Sequence, residues 1–391
     1  MSLTSTQVPP PTPKASSPSN GGTIPALLVF MAGLILVAGL WSFHAPRNHV
    51  RWDPNGGLRF GRFGSAVTAG AFPKNGAQAS GAIEVVLEPS FDDDKTTILA
   101  FDGGDEHRVP FLLQQYDHHL ILRHDVNNRL GIRSTTTLIV SDVFNRKQPV
   151  FLTITLAERR GAVYVNGKLA RDGESLPIPA DSFTGRLVLA NSPISDNSWA
   201  GRIGRLAIYR SELSPADVKQ HYNDFVQRRR IPNADQIADY DFHEGSGSVA
   251  HNLRDSSTDL VIPAKYFVLH PEWLLSPWRE YDDEWSRWKD IIINITGFIP
   301  FGFSLVAFLT RTGKTRRPVL ITLLIGFLLS FCIESLQYYL PTRDSDATDV
   351  MTNTLGTALG IVLWRSSLRD ILWDPIENFV DSLLRPKKVW N

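Results

Sequence analysis

Cysteine is all but absent from the chain. Cys332 stands alone, which leaves no intrachain disulfide and no Cys-based zinc site. Its position inside an apolar run reads as that of a small buried hydrophobe. Excess charge is missing too. Lysine plus arginine and aspartate plus glutamate number 40 each, so nothing in bulk argues for nucleic acid as a partner. No serine–histidine–acid set, HExxH, P-loop or zinc spacing occurs, and no cofactor or metal is expected. The acidic run Asp92–Asp94 lacks the alternate spacing of a calcium loop. His118 and His119 lie in an alternating segment, where adjacent rings point to opposite faces.

The chain does contain long apolar runs, at its two ends. Ile24 to Phe43 carries no charge and closes on Trp41 and Phe43. Roughly 20 helical residues cross the hydrocarbon core, and aromatics favour its boundary. No basic n-region precedes this run and no small-x-small site follows it, so it reads as a retained membrane helix, residues 23–45. Before it, residues 1–22 are rich in Pro, Ser, Thr and Gly with Lys14 as the one charge, a composition that predicts disorder. Three further runs, Ile291–Leu309, Val319–Tyr339 and Val350–Trp364, fall within residues 290–364. A basic tail, residues 365–391, follows.

The middle of the chain, residues 50–230, has a different character. Short alternating segments such as Ala82–Glu88, Thr97–Phe101, Leu120–Arg123, Phe151–Leu156 and Leu187–Ala190 sit between Gly-rich turns. Asn166-Gly167 between two such segments predicts a type I′ hairpin. Many short strands with turn signals predict an all-β sandwich. Residues 231–289 read as a bridge, with one extra strand near Tyr240 and a cluster of Trp273, Trp278, Trp285 and Trp288 before the next apolar run. The expected architecture is a multi-domain membrane protein: an α bundle of four transmembrane helices with an all-β jelly-roll sandwich inserted after the first.

Charge sets the expected orientation. The short loop holding Arg311, Lys314, Arg316 and Arg317 belongs in the cytoplasm. Counting crossings from it puts both termini inside and the sandwich outside. Arg47 and Arg51 oppose this order and are outweighed by the loop and the tail.

That topology brings a set of polar residues to one expected depth at the outer face: Asp290, Asn294, Glu334, Gln337, Arg343, Asp346, Asp349 and Asn353. Asp290 and Asn294 are four apart, as are Asp349 and Asn353, and Glu334 and Gln337 are three apart, so each pair shares a helix face. Ionisable groups beside lipid are costly and mark function more often than such groups in a soluble core. Gly356-x3-Gly360 is a small-xxx-small pattern that allows close helix approach.

Two resemblances follow from these residues. The hairpin Val163–Lys168, then Trp199–Tyr209 and Leu213–Tyr222, resembles the laminin-G-like, concanavalin-type jelly roll across about residues 57–225. That resemblance implies a domain that binds glycans or proteins, in some members through calcium. The order Asp290-x3-Asn294, Phe298-x-Pro300-x-Gly302, Glu334-x2-Gln337 and Arg343-x2-Asp346-x2-Asp349-x3-Asn353 resembles the VanZ-like family. It implies a small bacterial membrane protein of a group whose founding member is tied to teicoplanin resistance. The expected partners are the lipid bilayer and an envelope glycan or lipid-linked precursor, with no nucleic acid. Three roles stay open at this point. One is a non-catalytic envelope protein. Another is an enzyme on a lipid-linked substrate, with Glu334 or Asp349 as acid/base and Arg343 on phosphate. The last is a small transporter or flippase.

Overall fold

The computed structural model describes residues 23–369 and 371, apart from 74–79, 91–94, 105–108, 128–132, 145–147, 158–159, 174–181, 230, 232–234 and 276–283. The N-terminal stretch 1–22, the acidic run Asp92–Asp94, Trp278 and the tail beyond residue 371 lie outside the described residues. The chain divides into two units. One holds the chain up to Gly39, Trp285–Ile333 and the chain from Thr348; the other holds Leu40–Glu284 and Glu334–Ala347.

In the second unit, antiparallel strands form two sheets. The first runs β1 (Val50–Trp52), β2 (Leu58–Phe60), β13 (Gly201–Tyr209), β4 (Gly81–Pro89), β9 (Val150–Ala157), β10 (Arg160–Val165), β11 (Lys168–Gly173), with β14 (Gln236–Tyr240) also paired to β13. The second runs β15 (Val249–Ala250), β16 (Leu260–Val261), β3 (Ala66–Thr68), β12 (Arg186–Leu189), β5 (Thr96–Asp102), β6 (Phe111–Tyr116), β7 (His119–Asn127), β8 (Arg133–Val140). Alternation places Ile83, Val85 and Leu87 of β4, and Leu152, Ile154 and Leu156 of β9, in one core with Leu99, Phe101, Leu113 and Leu122 from the other sheet. Asn166 and Gly167 both have positive φ (52° and 71°), and Val165 pairs with Lys168, so the type I′ hairpin forms as expected. His118 belongs to the turn between β6 and β7 rather than to a strand, and its Nδ1 lies 2.9 Å from the Phe144 carbonyl oxygen. The expected bridge contributes strands β14, β15 and β16 to the two sheets.

Helix α2 (Pro215–Val226) lies on the outer face of the first sheet, where Tyr222 and Phe225 pack on Val86, Phe151 and Ile231. It begins with a capping box: Asp217 N–H donates to the Ser214 hydroxyl, and the Asp217 carboxylate accepts from the Ser214 N–H.

The other unit is helical. It contains α1 (Thr23–Leu40), α3 (Glu284–Thr312), α4 (Pro318–Gln337, its last turn assigned to the second unit) and α5 (Ala347–Arg365). Trp288–Thr312 and Pro318–Gln337 are each long and apolar enough to cross a membrane. In α5 the first half is studded with Thr348, Asp349, Thr352, Asn353, Thr354 and Thr357, so the helix does not reach that apolarity by itself. The four-span expectation is therefore met, by length and composition, at α3 and α4.

Glycines let these helices touch. A Cβ on Gly356 would sit 2.3 Å from the Ile295 carbonyl oxygen, and one on Gly360 2.3 Å from that of Ile299. Gly302 of α3 returns the contact, since a Cβ there would sit as close to the Thr357 carbonyl oxygen of α5. The Gly356-x3-Gly360 pattern thus works as expected.

Around an apolar core of Phe303, Val306, Ala307, Ile361 and Trp364, this unit exposes many apolar side chains and buries several polar ones. Val29, Phe30, Ile292, Ile293, Leu324, Leu328, Met351, Leu355 and Val362 are exposed, while Ser304, Thr322, Ser330, Asn353 and Thr357 are buried. An apolar exterior over a polar-sprinkled interior suits lipid, not water. Cys332, expected to be buried, is exposed on α4, because the buried face of that turn is taken by Ile333 and Ser330.

Candidate functional site

The polar residues singled out in the sequence fall into two groups. Within the helical unit, Asp290 is exposed on α3 and Asn294 is half-buried one turn further on. Asp349 is half-buried in the first turn of α5, and Asn353 is buried. Asn353 Nδ2 donates to the Ser330 hydroxyl of α4 at 2.9 Å. Its carbonyl oxygen Oδ1 is buried with no hydrogen-bond partner among the described residues. A buried amide oxygen in that condition costs free energy until something donates to it.

Glu334, Gln337, Arg343 and Asp346 belong to the other unit. Glu334 is 1% exposed, and its carboxylate accepts from the Asp346 N–H at 2.9 Å. Gln337 is buried, and its backbone carbonyl accepts from the Leu340 N–H at 2.7 Å as the helix gives way to a turn. Arg343 is exposed and donates through Nε and Nη2 to the Trp41 carbonyl, at 3.2 and 2.9 Å. Leu275 N–H donates to the Ser345 carbonyl and Ala347 N–H to the Leu275 carbonyl, at 2.8 and 3.1 Å, so this short segment is tied to the end of the sandwich chain. Glu334 therefore pins a turn, and Arg343 holds the chain just beyond α1. The structure brings Glu334 together with Asp346, and Asn353 together with Ser330.

The sandwich has its own buried polar centre. Glu84 on β4 accepts from the Tyr209 hydroxyl at 2.7 Å and lies 3.0 Å from His221 Nδ1 of α2. Gln236 Nε2 donates to the same tyrosine oxygen at 3.0 Å. Burial, then the charge of Glu84, pushes the Tyr209 hydroxyl well above its ordinary range, so it stays protonated as the donor. This network fastens α2 to the sheet. Among the described residues, no group of three or more His, Cys, Asp or Glu is placed to hold a metal ion.

The described residues thus comprise a two-sheet sandwich and a helical unit that exposes apolar side chains. The concanavalin A-like lectin/glucanases superfamily model matches residues 50–219, and the VanZ/LLP1 model matches residues 244–371. The chain thus carries a concanavalin A-like stretch followed by a VanZ-like stretch. The VanZ match begins well before the first expected motif residue, Asp290.

No curated protein matches the chain. Among solved structures it is similar to a putative carbohydrate binding protein from Bacteroides ovatus ATCC 8483, at 11% identity and a TM-score of 0.36, over 56% of this chain and 58% of that one. It is also similar to the Ruminococcus gnavus IT-sialidase CBM40 bound to alpha2,3 sialyllactose, at 14% identity and a TM-score of 0.32, over 42% of this chain and 95% of that one. A third is Trypanosoma rangeli sialidase, at 14% identity and a TM-score of 0.35, over 46% of this chain and 29% of that one.

Proposed function

We propose that this chain is a multi-pass protein of a bacterial cytoplasmic membrane whose sandwich lies outside and binds a glycan of the cell envelope. The observation that carries this reading is the union, in one chain, of a concanavalin A-like domain with helices that expose many apolar side chains and bury several polar ones. In this reading α1, α3, α4 and α5 all cross the bilayer. The polar first half of α5 is tolerated because Thr352, Asn353 and Thr357 turn inward. Arg311, Lys314, Arg316 and Arg317 hold the α3–α4 loop in the cytoplasm. The sandwich supplies recognition, and the helices keep it at the membrane surface, where lipid-linked envelope precursors are handled.

Two measurements test this. In a Cys332→Ser background, Glu212→Cys on the sandwich should react with a membrane-impermeant maleimide in intact cells, and Thr315→Cys only after permeabilisation; the reverse pattern refutes the orientation. The full-length protein in lipid nanodiscs should be retained on an array of bacterial envelope glycans, and no retention on any of them refutes the binding role.

A further inference from the structure

The outer face of the first sheet carries a cleft of about 920 Å³. Its walls hold Arg202 and Arg205 of β13 and Arg228 and Arg229 just past α2, over a floor that includes Val86 and Ile231. A strand normally sends residues three apart to opposite faces. Here the register shifts between Ile203 and Arg205, and the bulge turns Arg202 and Arg205 to the same side.

Charge within the cleft does not cancel. Arg205 is paired with Asp239 at 2.9 Å, and Asp241 lies 3.5 Å from His243 Nδ1. Arg202 is bonded to Glu88 at 2.7 Å. Four arginines face two aspartates among the lining residues, and Arg228 and Arg229 are the exposed pair at its mouth.

The backbone holds that pair in place. Arg229 N–H donates to the Asp224 carbonyl at 2.8 Å and Arg228 N–H to that of Phe225 at 3.0 Å. These are the two bonds of a Schellman cap, whose left-handed residue is ordinarily glycine. Arg228 fills it at φ 54°, a conformation that disfavours an L side chain. Capping would be better served without the side chain, so its presence calls for another use of the guanidinium.

The geometry points to a site for an anionic saccharide, one carrying phosphate or carboxylate groups, with Arg228 and Arg229 taking the anion and the apolar floor taking a ring face. This deepens, and rests on, the glycan-binding reading above. Arginine's planar fork suits carboxylate and phosphate alike, and a cleft of this size accommodates a few sugar units.

The test uses full-length protein in nanodiscs of zwitterionic lipid, so that no anionic headgroup competes. Its probes are polygalacturonate, phosphorylated dextran, neutral dextran and inorganic phosphate. At least one acidic polymer should bind at least tenfold more tightly than neutral dextran, and added salt should weaken it. Arg228→Gly and Arg229→Ala should each weaken that binding about tenfold, the scale of one charge-assisted hydrogen bond. Arg228→Gly should meanwhile leave thermal stability equal or raised, which separates ligand loss from misfolding. Equal binding of acidic and neutral polymers, unchanged in both variants, overturns this inference and leaves the glycan reading standing. Binding of inorganic phosphate as tight as that of the polymers overturns the saccharide part. Absence of binding to any saccharide defeats the glycan reading and this inference with it.

Discussion

Glu84 offers the sharpest check on how the sandwich is held together. The residue is 2% exposed, and its carboxylate meets Tyr209 at 2.7 Å and His221 at 3.0 Å. Glu84→Ala removes the acceptor for the tyrosine hydroxyl and the partner of the histidine ring, and leaves both groups in a dry space. Each orphaned group costs about 1–3 kcal/mol. We expect a loss of about 3 kcal/mol, centred on the joint between α2 and the sheet. Glu84→Gln keeps an oxygen to accept from Tyr209 and should lose about half as much. Tyr209→Phe removes the other end of the strongest bond, and the double variant should show a coupling of about 1 kcal/mol or more. Hydrogen exchange of the full-length protein reads this directly, since amides of β4, β13 and α2 report local opening. If Glu84→Ala lowers their protection by less than about 0.5 kcal/mol, or if Glu84→Ala and Tyr209→Phe simply add, then the network is incidental and α2 is held by its apolar contacts alone.

Two other perturbations follow from geometry. Gly356→Ala and Gly360→Ala each drive a methyl to 2.3 Å from a carbonyl oxygen of α3 and should cost the helical unit about 1–3 kcal/mol. Gly297→Ala, with no atom within 4 Å of its Cβ position, should be neutral or slightly stabilising; thermal melts in detergent in which all three variants behave alike would refute the packing. Asp196 is raised above the ordinary carboxylate range, chiefly by burial, although the Tyr266 hydroxyl donates to it at 2.6 Å. Its folded-state pKa exceeds the unfolded one, so the native state binds the extra proton between them, and this contribution to stability falls as pH rises through that interval. Asp196→Asn should gain stability relative to the parent as pH rises above the ordinary carboxylate range, measured by urea unfolding at each pH, and a pH-independent difference would contradict this.

Much of the sandwich was legible because its physics is local. Ile83, Val85 and Leu87 alternate with Glu84 and Val86, and that alternation is enough to predict β4. Asn166-Gly167 predicts a turn because those residue types tolerate positive φ at both positions. The two-residue strands β15 and β16 left no period to read, so the segment after residue 231 passed for a bridge. The cleft arginines were invisible for a different reason. Arg202 and Arg205 share a face only through a bulge at Gly204, and Arg228 caps a helix where a glycine signal would be sought. In the helical unit, Gly356 and Gly360 announced a close approach and the structure supplies its partner. Cys332 was misjudged because an apolar run in a membrane helix faces outward as readily as inward. The polar residues of this region were readable as unusual. Their separate partners, Ser330 for Asn353 and the Asp346 amide for Glu334, were not, since neither contact follows from spacing.

Glu334 decides between a structural and an ionisable role for that polar set. Its oxygen accepts from the Asp346 N–H at 2.9 Å, at 1% exposure. A backbone amide needs an acceptor, not a charge, and Glu334→Gln retains an acceptor oxygen on the same stem. Glu334→Ala retains neither. If the residue serves to pin the turn at 340–346, the glutamine variant should match the parent in yield and in exchange protection of the Asp346 amide. The alanine variant should then expose that amide and lose about 1–3 kcal/mol locally, the cost of a buried donor without a partner. A working ionisable group demands the opposite ordering, with glutamine as damaging as alanine to glycan retention while the Asp346 amide stays protected in the glutamine variant. Parental behaviour of both variants would mean that the carboxylate pins nothing and carries no proton, and that the turn is held by the Leu275–Ser345 pairing instead.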